Sequence, residues 1–477
     1  MSERKRFHPL AIVVFWFQGV RKWLYFLLLL AFNGELFSMF GLIATGILFL
    51  FVLAVSCVKF FSQTYQINSE KIMIYHGIFR KREVDIPYGR IQTIKQRQWF
   101  FFRPFKVIQL LIETAGGKAD QAEAALPAVS ETLLDMIERY RHSDQPENDI
   151  QETEQPEALS FDYRVTNGQI MTYGLTDLSV IAPLLFLLTL IDEFIPENWL
   201  LQASTTAESV IRAGWLVTLA LIFLVIMIVM VLSLAKTFIQ YYDFRVGRSQ
   251  NTLTIESGLL ERKTQKIPLD KIQGIRIRQQ IIRKLFGIST VELILAGGQE
   301  VDGESKSINK LYVFPIIHDS KLYQTLDLLL PEWQIEKPQI LLSSYPHIWY
   351  FWRWYLLLVP VILATMWFSR LVGSIAIVIS ILLLVISWLD YRYQGYAIQT
   401  PKRICIQTFE IFTKVQTFVE RSKIQSFTEQ TSMWLYPKKI GHLEMYLKTG
   451  ADAEAISLRF IQHQHVERLR SFYQKGC

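Results

Sequence analysis

One supersecondary unit occurs three times in this chain, and no other feature constrains its fold as tightly. Ile86-Pro87, Ile91-Gln92 and Gly116-Gly117 recur 181 residues later as Ile267-Pro268, Ile272-Gln273 and Gly297-Gly298. The last two landmarks return 152 residues further on, as Ile424-Gln425 and Thr449-Gly450. An offset that holds over some 26 residues marks a duplicated unit. The spacing is too long for a solenoid.

A long apolar region precedes each copy. Residues 37–61 carry one charge, Lys59, and residues 215–235 and 371–389 carry none. Runs of roughly 19–25 apolar residues match the thickness of a bilayer core. Apolar partners lie just upstream, at 23–32, 178–191 and 354–368. The pattern predicts three helical hairpins, hence six transmembrane helices. The 51% hydrophobic content is concentrated there, which argues against one large soluble core.

Charge sets the orientation. The middle connection, 192–212, holds Asp192, Glu193, Glu197 and Glu208, while Arg4, Lys5, Arg6, Arg21, Lys22, Lys59 and Lys236 lie on the opposite side. By the positive-inside rule the N-terminus and all three repeats are expected in the cytoplasm. The first apolar region is long and broken by Arg21-Lys22, so no cleavable signal peptide is expected. Cys57, Cys405 and Cys477 have no metal-ligand spacing, and no disulfide is expected.

Inside a repeat the polarity alternates with period two. Residues 64–67 and 71–75 read as a hairpin ending near Gly77, and 82–86, 91–98 and 107–114 as further strands. The paired glycines at 116–117 and 297–298 supply the backbone a tight hairpin needs. An amphipathic helix then closes each copy, at 130–141, 319–330 and about 463–473, with Ser130 and Asp319 as N-caps.

The second repeat, Gly258-Leu-Leu-Glu-Arg-Lys-Thr-Gln-Lys-Ile-Pro268-Leu-Asp-Lys-Ile-Gln273, continues with Ile275-Arg-Ile-Arg278 and Arg283-Lys-Leu-Phe-Gly-Ile-Ser-Thr-Val-Glu-Leu293. These residues resemble the membrane-flanked bacterial pleckstrin-homology-like domain family. The resemblance implies a multi-pass membrane α+β protein of the bacterial cell membrane, each hairpin followed by a cytoplasmic PH-like antiparallel β-barrel with a C-terminal helix. The expected layout is an N-terminal segment with hairpin 1 (1–61), module 1 (62–142), an acidic linker (143–160) and hairpin 2 (161–240). Module 2 (241–333), hairpin 3 (334–390) and a divergent module 3 (391–477) follow. The linker has six acidic residues before Ala158 and no basic ones, which suits a tether. In module 3, Glu410 replaces the turn glycine (Gly77, Gly258) and Glu420 replaces the proline (Pro87, Pro268).

The candidate binding residues form a repeated basic pattern. Lys95 and Arg97 precede Arg276 and Arg278 by 181 residues, and two-residue spacing puts each pair on one face of its strand. Ile94, Ile275 and Ile277 fall on the other face. Arg80, Lys81, Arg82, Arg262 and Lys263 lie close by in sequence, whereas module 3 has Thr428 and Gln430 at the paired positions. Such a surface either binds an anionic lipid headgroup or acidic partner segment, or simply keeps a sheet face solvated. Basic residues near an anionic leaflet contribute about 1 kcal/mol each.

Other functions have little support. The net charge of +7 comes without a recognition-helix motif, so nucleic-acid binding is not expected. There is no phosphate loop, HExxH or nucleophile elbow. His463 and His465, two apart, splay on a helix, so neither metal nor cofactor is expected. The expected role is a non-enzymatic scaffold in the membrane. The resemblance implies envelope maintenance or antimicrobial-peptide resistance, with a related single-module membrane protein or self-association as partners. A transporter component and a lipid-sensing adaptor are the alternatives.

Overall fold

A computed structural model of the chain describes residues 4–32, 38–77, 81–114, 124–143, 161–177, 215–296, 311–344, 348–353, 355, 358–368, 370–449 and 452–474. Gly116-Gly117, Gly297-Gly298, Gly450, Arg80, the expected helix 178–191, its connection 192–212 and the linker from Asp144 lie outside the described residues. Two units divide the chain, largely before and after the Ile267–Pro268 bond.

The first unit contains strands β1 (Lys5–Arg6), β2 (Thr64–Ile67), β3 (Lys71–His76), β4 (Arg82–Pro87), β5 (Ile91–Trp99), β6 (Val107–Thr114) and β7 (Ala124–Ser130). Four more follow: β8 (Phe161–Arg164), β9 (Arg245–Ser249), β10 (Thr252–Ser257) and β11 (Glu261–Pro268). They form a four-stranded sheet, β1-β2-β3-β4, and a seven-stranded sheet, β7-β6-β5-β11-β10-β9-β8. The helix Glu131–Ser143 closes the first repeat, with Leu133, Leu134 and Ile137 packed in a core shared with Ile72, Ile86, Ile94 and Leu110.

The second unit holds β12 (Ile272–Gln280), β13 (Ile288–Leu295), β14 (Leu311–His318), β15 (Leu341–Leu342), β16 (Gly395–Thr400), β17 (Arg403–Glu410) and β18 (Thr413–Glu420). These form a seven-stranded sheet, β14-β13-β12-β18-β17-β16-β15. The last strands, β19 (Ile424–Gln430), β20 (Ile440–Thr449) and β21 (Asp452–Gln462), make a separate three-stranded sheet. Val466, Leu469 and Phe472 of the final helix, His463–Gln474, pack with Ile404, Ile406, Leu443 and Leu458.

Among the described residues, every repeat therefore has seven strands, β1–β7, β8–β14 and β15–β21. The apolar helices are inserted between its first and second strands. The fourth strand of each later repeat pairs with the fifth strand of the one before it: β11 lies on β5, and β18 on β12. The two junctions share one register. Lys95 faces Gln265 and Arg276 faces Thr417, which are equivalent positions of the repeat. Of the strands in the second shared sheet, β13 lies between β12 and β14 and shows no alternation in burial. In β13, Ile288–Glu292 and the two residues after it are all buried.

The closing helices start where the sequence places them, with one change of role. Asp319 is the first helical residue and not the N-cap, which is His318. Its carboxylate is occupied elsewhere, accepting from Gln279 Nε2 and Ser289 Oγ at 2.6 Å each.

Six spans are not supported by the described helices. Two, Met39–Ser62 and Ala376–Tyr393, are long and apolar enough to cross a membrane. Among the described residues the expected partners are shorter: Leu24–Phe32 has 9 residues and Leu358–Phe368 has 11. At 1.5 Å per residue these reach roughly half a bilayer core. The helix Ala11–Lys22 instead commits Ala11 and Val14 to the core of the first repeat. Within the helical pairs, small residues permit close crossing. A Cβ on Gly19 would collide with Val52, one on Gly174 with Leu234, and one on Gly373 with Met366.

The divergent third repeat keeps its backbone. Glu420 holds φ −82°, ψ 141°, close to Pro268 at −64°, 138°, and pairs with Arg403 at 3.1 Å. Where Gly77 (φ 119°) and Gly258 (φ 112°) turn the earlier hairpins, Ile411 and Phe412 turn this one with φ of 31° and 61°. Positive φ is unfavourable for a β-branched residue. Replacing the pair with Asn-Gly (Ile411→Asn, Phe412→Gly) should raise stability by about 1–3 kcal/mol, read as an upward shift of the melting midpoint.

The same repeat contains two acid-sensitive histidines. Burial pushes the His442 pKa down, and Arg459 and Arg353 push it further in the same direction. Burial and then Arg468 depress His465, whose Nδ1 lies 3.1 Å from the Tyr396 hydroxyl. A histidine with a depressed folded pKa takes up its proton more readily when unfolded. Stability is therefore full above the unfolded value of about 6.5 and falls as pH drops below it. His442→Gln should flatten the melting-temperature profile between pH 7 and 5, measured by differential scanning fluorimetry.

Candidate functional site at the repeat junctions

The residues expected to form an anion-binding face lie on the strands that join one repeat to the next. On β5, Arg97 Nε is 3.7 Å from Glu261 Oε1 of β11, and Lys263 Nζ is 3.8 Å from the other oxygen of that carboxylate. One glutamate thus offsets two cations that stand directly opposite each other. Arg262 turns instead to Glu256 at 2.6 Å. Lys95, also on β5, is partly buried opposite Gln265. The junction is extended by Phe100 N donating to Leu260 O (2.8 Å) and Arg103 Nη2 to Leu259 O (3.0 Å). Lys266 reaches the closing helix of the first repeat, where both oxygens of Glu138 accept from it at 2.7 and 2.8 Å.

The β12–β18 junction is drier. Arg276 pairs with Glu454 of β21, the two side chains being only 11% and 9% exposed. Arg278 lies 3.7 Å from Glu292 and 3.5 Å from Glu410. Arg276 and Glu454 line a cavity of about 120 Å³ together with Glu410, Thr417 and Arg459. Across the strand pair, Ile281 N donates to Phe412 O at 2.9 Å. Lys423 Nζ adds a bond to Asp270 O at 3.3 Å. Burial lowers the Lys414 pKa, and Lys284 lowers it further.

Two consequences follow for the expected site. The alternation is as read: Ile94, Ile275 and Ile277 are buried while the basic residues take the other face. Arg97, Arg262, Lys263, Arg276 and Arg278 each face a carboxylate within their own unit. Lys81 and Arg82 are exposed. Sequence reasoning missed the acidic partners Glu261, Glu292, Glu410 and Glu454. A signal existed for Glu292, the one charged residue in the strand Ile288–Leu295, where burial demands a cationic neighbour.

Repeated antiparallel strand sets closed by a C-terminal helix, with apolar helices after each first strand, define a class of tandem PH-like modules coupled to hydrophobic helices. The chain belongs to the bacterial PH domain family, whose profile matches residues 14–143, 194–312 and 348–476. The chain is 29% identical over 357 residues to the UPF0699 transmembrane protein YdbT of Bacillus subtilis (strain 168), with 71% of each chain covered. No solved structure matches it.

Proposed function

We propose that this chain is a non-enzymatic scaffold of the bacterial cell membrane. In this reading it is multi-pass, its modules and N-terminus face the cytoplasm, and it serves envelope maintenance or antimicrobial-peptide resistance beside a related PH-domain membrane protein. The observation that carries the reading is the strand sharing at β5–β11 and β12–β18. Repeats that share hydrogen-bonded sheets hold a set spacing, which suits a platform better than independent sensors on tethers. The basic residues expected to grip a headgroup are largely engaged by carboxylates at these joints.

The test is purification from native membranes in mild detergent, with proteins and lipids identified by mass spectrometry. A stoichiometric membrane protein carrying a PH-like module supports the scaffold. One enriched anionic lipid with no protein partner would favour a lipid-sensing adaptor and point to Lys81 and Arg82.

A further inference from the structure

Two strand edges occupy junction positions of the repeat and have no strand beside them among the described residues. β4 is the outer strand of its sheet and β19 the outer strand of its own. Their counterparts are all joined: β11 and β18 as fourth strands, β5 and β12 as fifth strands. Elsewhere the rims of a repeat meet each other. His8 N donates to Ala128 O at 3.0 Å in the first repeat, and Ser344 bridges Ile461 in the third. The open edges therefore lie where a preceding or following repeat would attach.

Exposure agrees with this. Gln425 and Ser426 are exposed, whereas their counterparts Gln273 and Gly274 are buried beneath β18. On β4, Arg82, Glu83, Asp85 and Pro87 are exposed. A strand edge with unmet backbone donors and acceptors is a template for another strand.

We infer that β19 of one copy of this chain takes β4 of a second copy, continuing head to tail the joint already made twice inside the chain. Both halves of the joint are present on one polypeptide, which commits the occupant to a second copy. Carrying over the common register sets Ser426 opposite Ile86, Phe427 opposite Asp85 and Thr428 opposite Val84. Glu83 then faces Glu429, whose charge Arg470 already meets. The same device operates inside the chain, where Arg97 faces Lys263 and Glu261 offsets both. The two surfaces differ, so the contact is heterologous and adds copies in a row. The inference extends the scaffold reading, and its failure would leave the purification test of that reading untouched.

The experiment uses full-length protein in membranes. Two differently tagged forms, Thr428→Cys and Val84→Cys, are co-expressed and treated with a short thiol cross-linker. A dimer carrying both tags, absent when either form is expressed alone, is the expected result. Lys95→Cys with Gln265→Cys, the same register inside one chain, shows that this geometry cross-links. With that control positive, absence of the mixed dimer overturns the inference. So does a dimer from Thr428→Cys alone, which means like edges pair, or a cross-link from Thr428→Cys to a different protein.

Discussion

Replacing Arg276 by alanine should lower the stability of the second unit by about 3–5 kcal/mol, the cost of stranding a buried partner charge. Glu454 is 9% exposed and has one oxygen without a hydrogen-bond partner even in the intact pair. Removing the guanidinium takes away the cation paired with that nearly buried carboxylate. Arg276→Met combined with Glu454→Leu should recover most of the loss, because an apolar pair of similar volume avoids the desolvation that the ion pair only offsets. Hydrogen exchange locates the effect: protection should fall in 272–280 and 413–420. If the single and double variants melt alike, the loss stems from packing by the arginine stem and not from the stranded charge.

Phe418→Ala should cost a similar amount, about 3–5 kcal/mol, by a different route. Phe418 is fully buried on β18, opposite Ile275 across the junction and Cys405 on its other side. Leu293 and Leu311 continue the same row, so one apolar line runs through five strands of the sheet. Truncation opens a cavity in the middle of that line, where neighbours on either side are pinned by ladder hydrogen bonds and cannot close in. Phe418→Leu keeps most of the volume and should lose far less. Burial pushes the Cys405 thiol pKa up, so it stays protonated and unreactive in the intact chain. Its labelling by a maleimide therefore reports opening: the rate should rise sharply in Phe418→Ala and little in Phe418→Leu.

The two substitutions act on opposite faces of one strand pair. This is why the basic residues were hard to interpret from sequence. Lys95/Arg97 and Arg276/Arg278 announced a polar face by their spacing, and that face exists. Period two cannot say whether a polar face meets water, a lipid headgroup or a carboxylate from a strand some 180 residues away. Glu454 lies 178 residues from Arg276, beyond the reach of any local pattern. The first strands escaped notice for the same reason. Lys5–Arg6 and Leu341–Leu342 are two residues long and separated from their partners by whole helical regions. The six-span expectation is not supported among the described residues, where Met39–Ser62 and Ala376–Tyr393 are long and apolar enough to cross a bilayer, because apolar composition alone does not set the length of a helix.

Periodic and local features belonged to the sequence itself: the threefold repeat, the strands at 64–67 and 107–114, the closing helices, and the division of β12 into isoleucine and arginine faces. These follow from side-chain spacing along a strand or helix, and spacing is written in the order of residues. Only the tertiary structure decided that β5 and β12 would be sheet interiors while β19 is, among the described residues, the outer strand of its sheet. Strand pairing uses backbone N–H and C=O groups that nearly all residues share, so the choice of neighbour depends on which surfaces must be buried together.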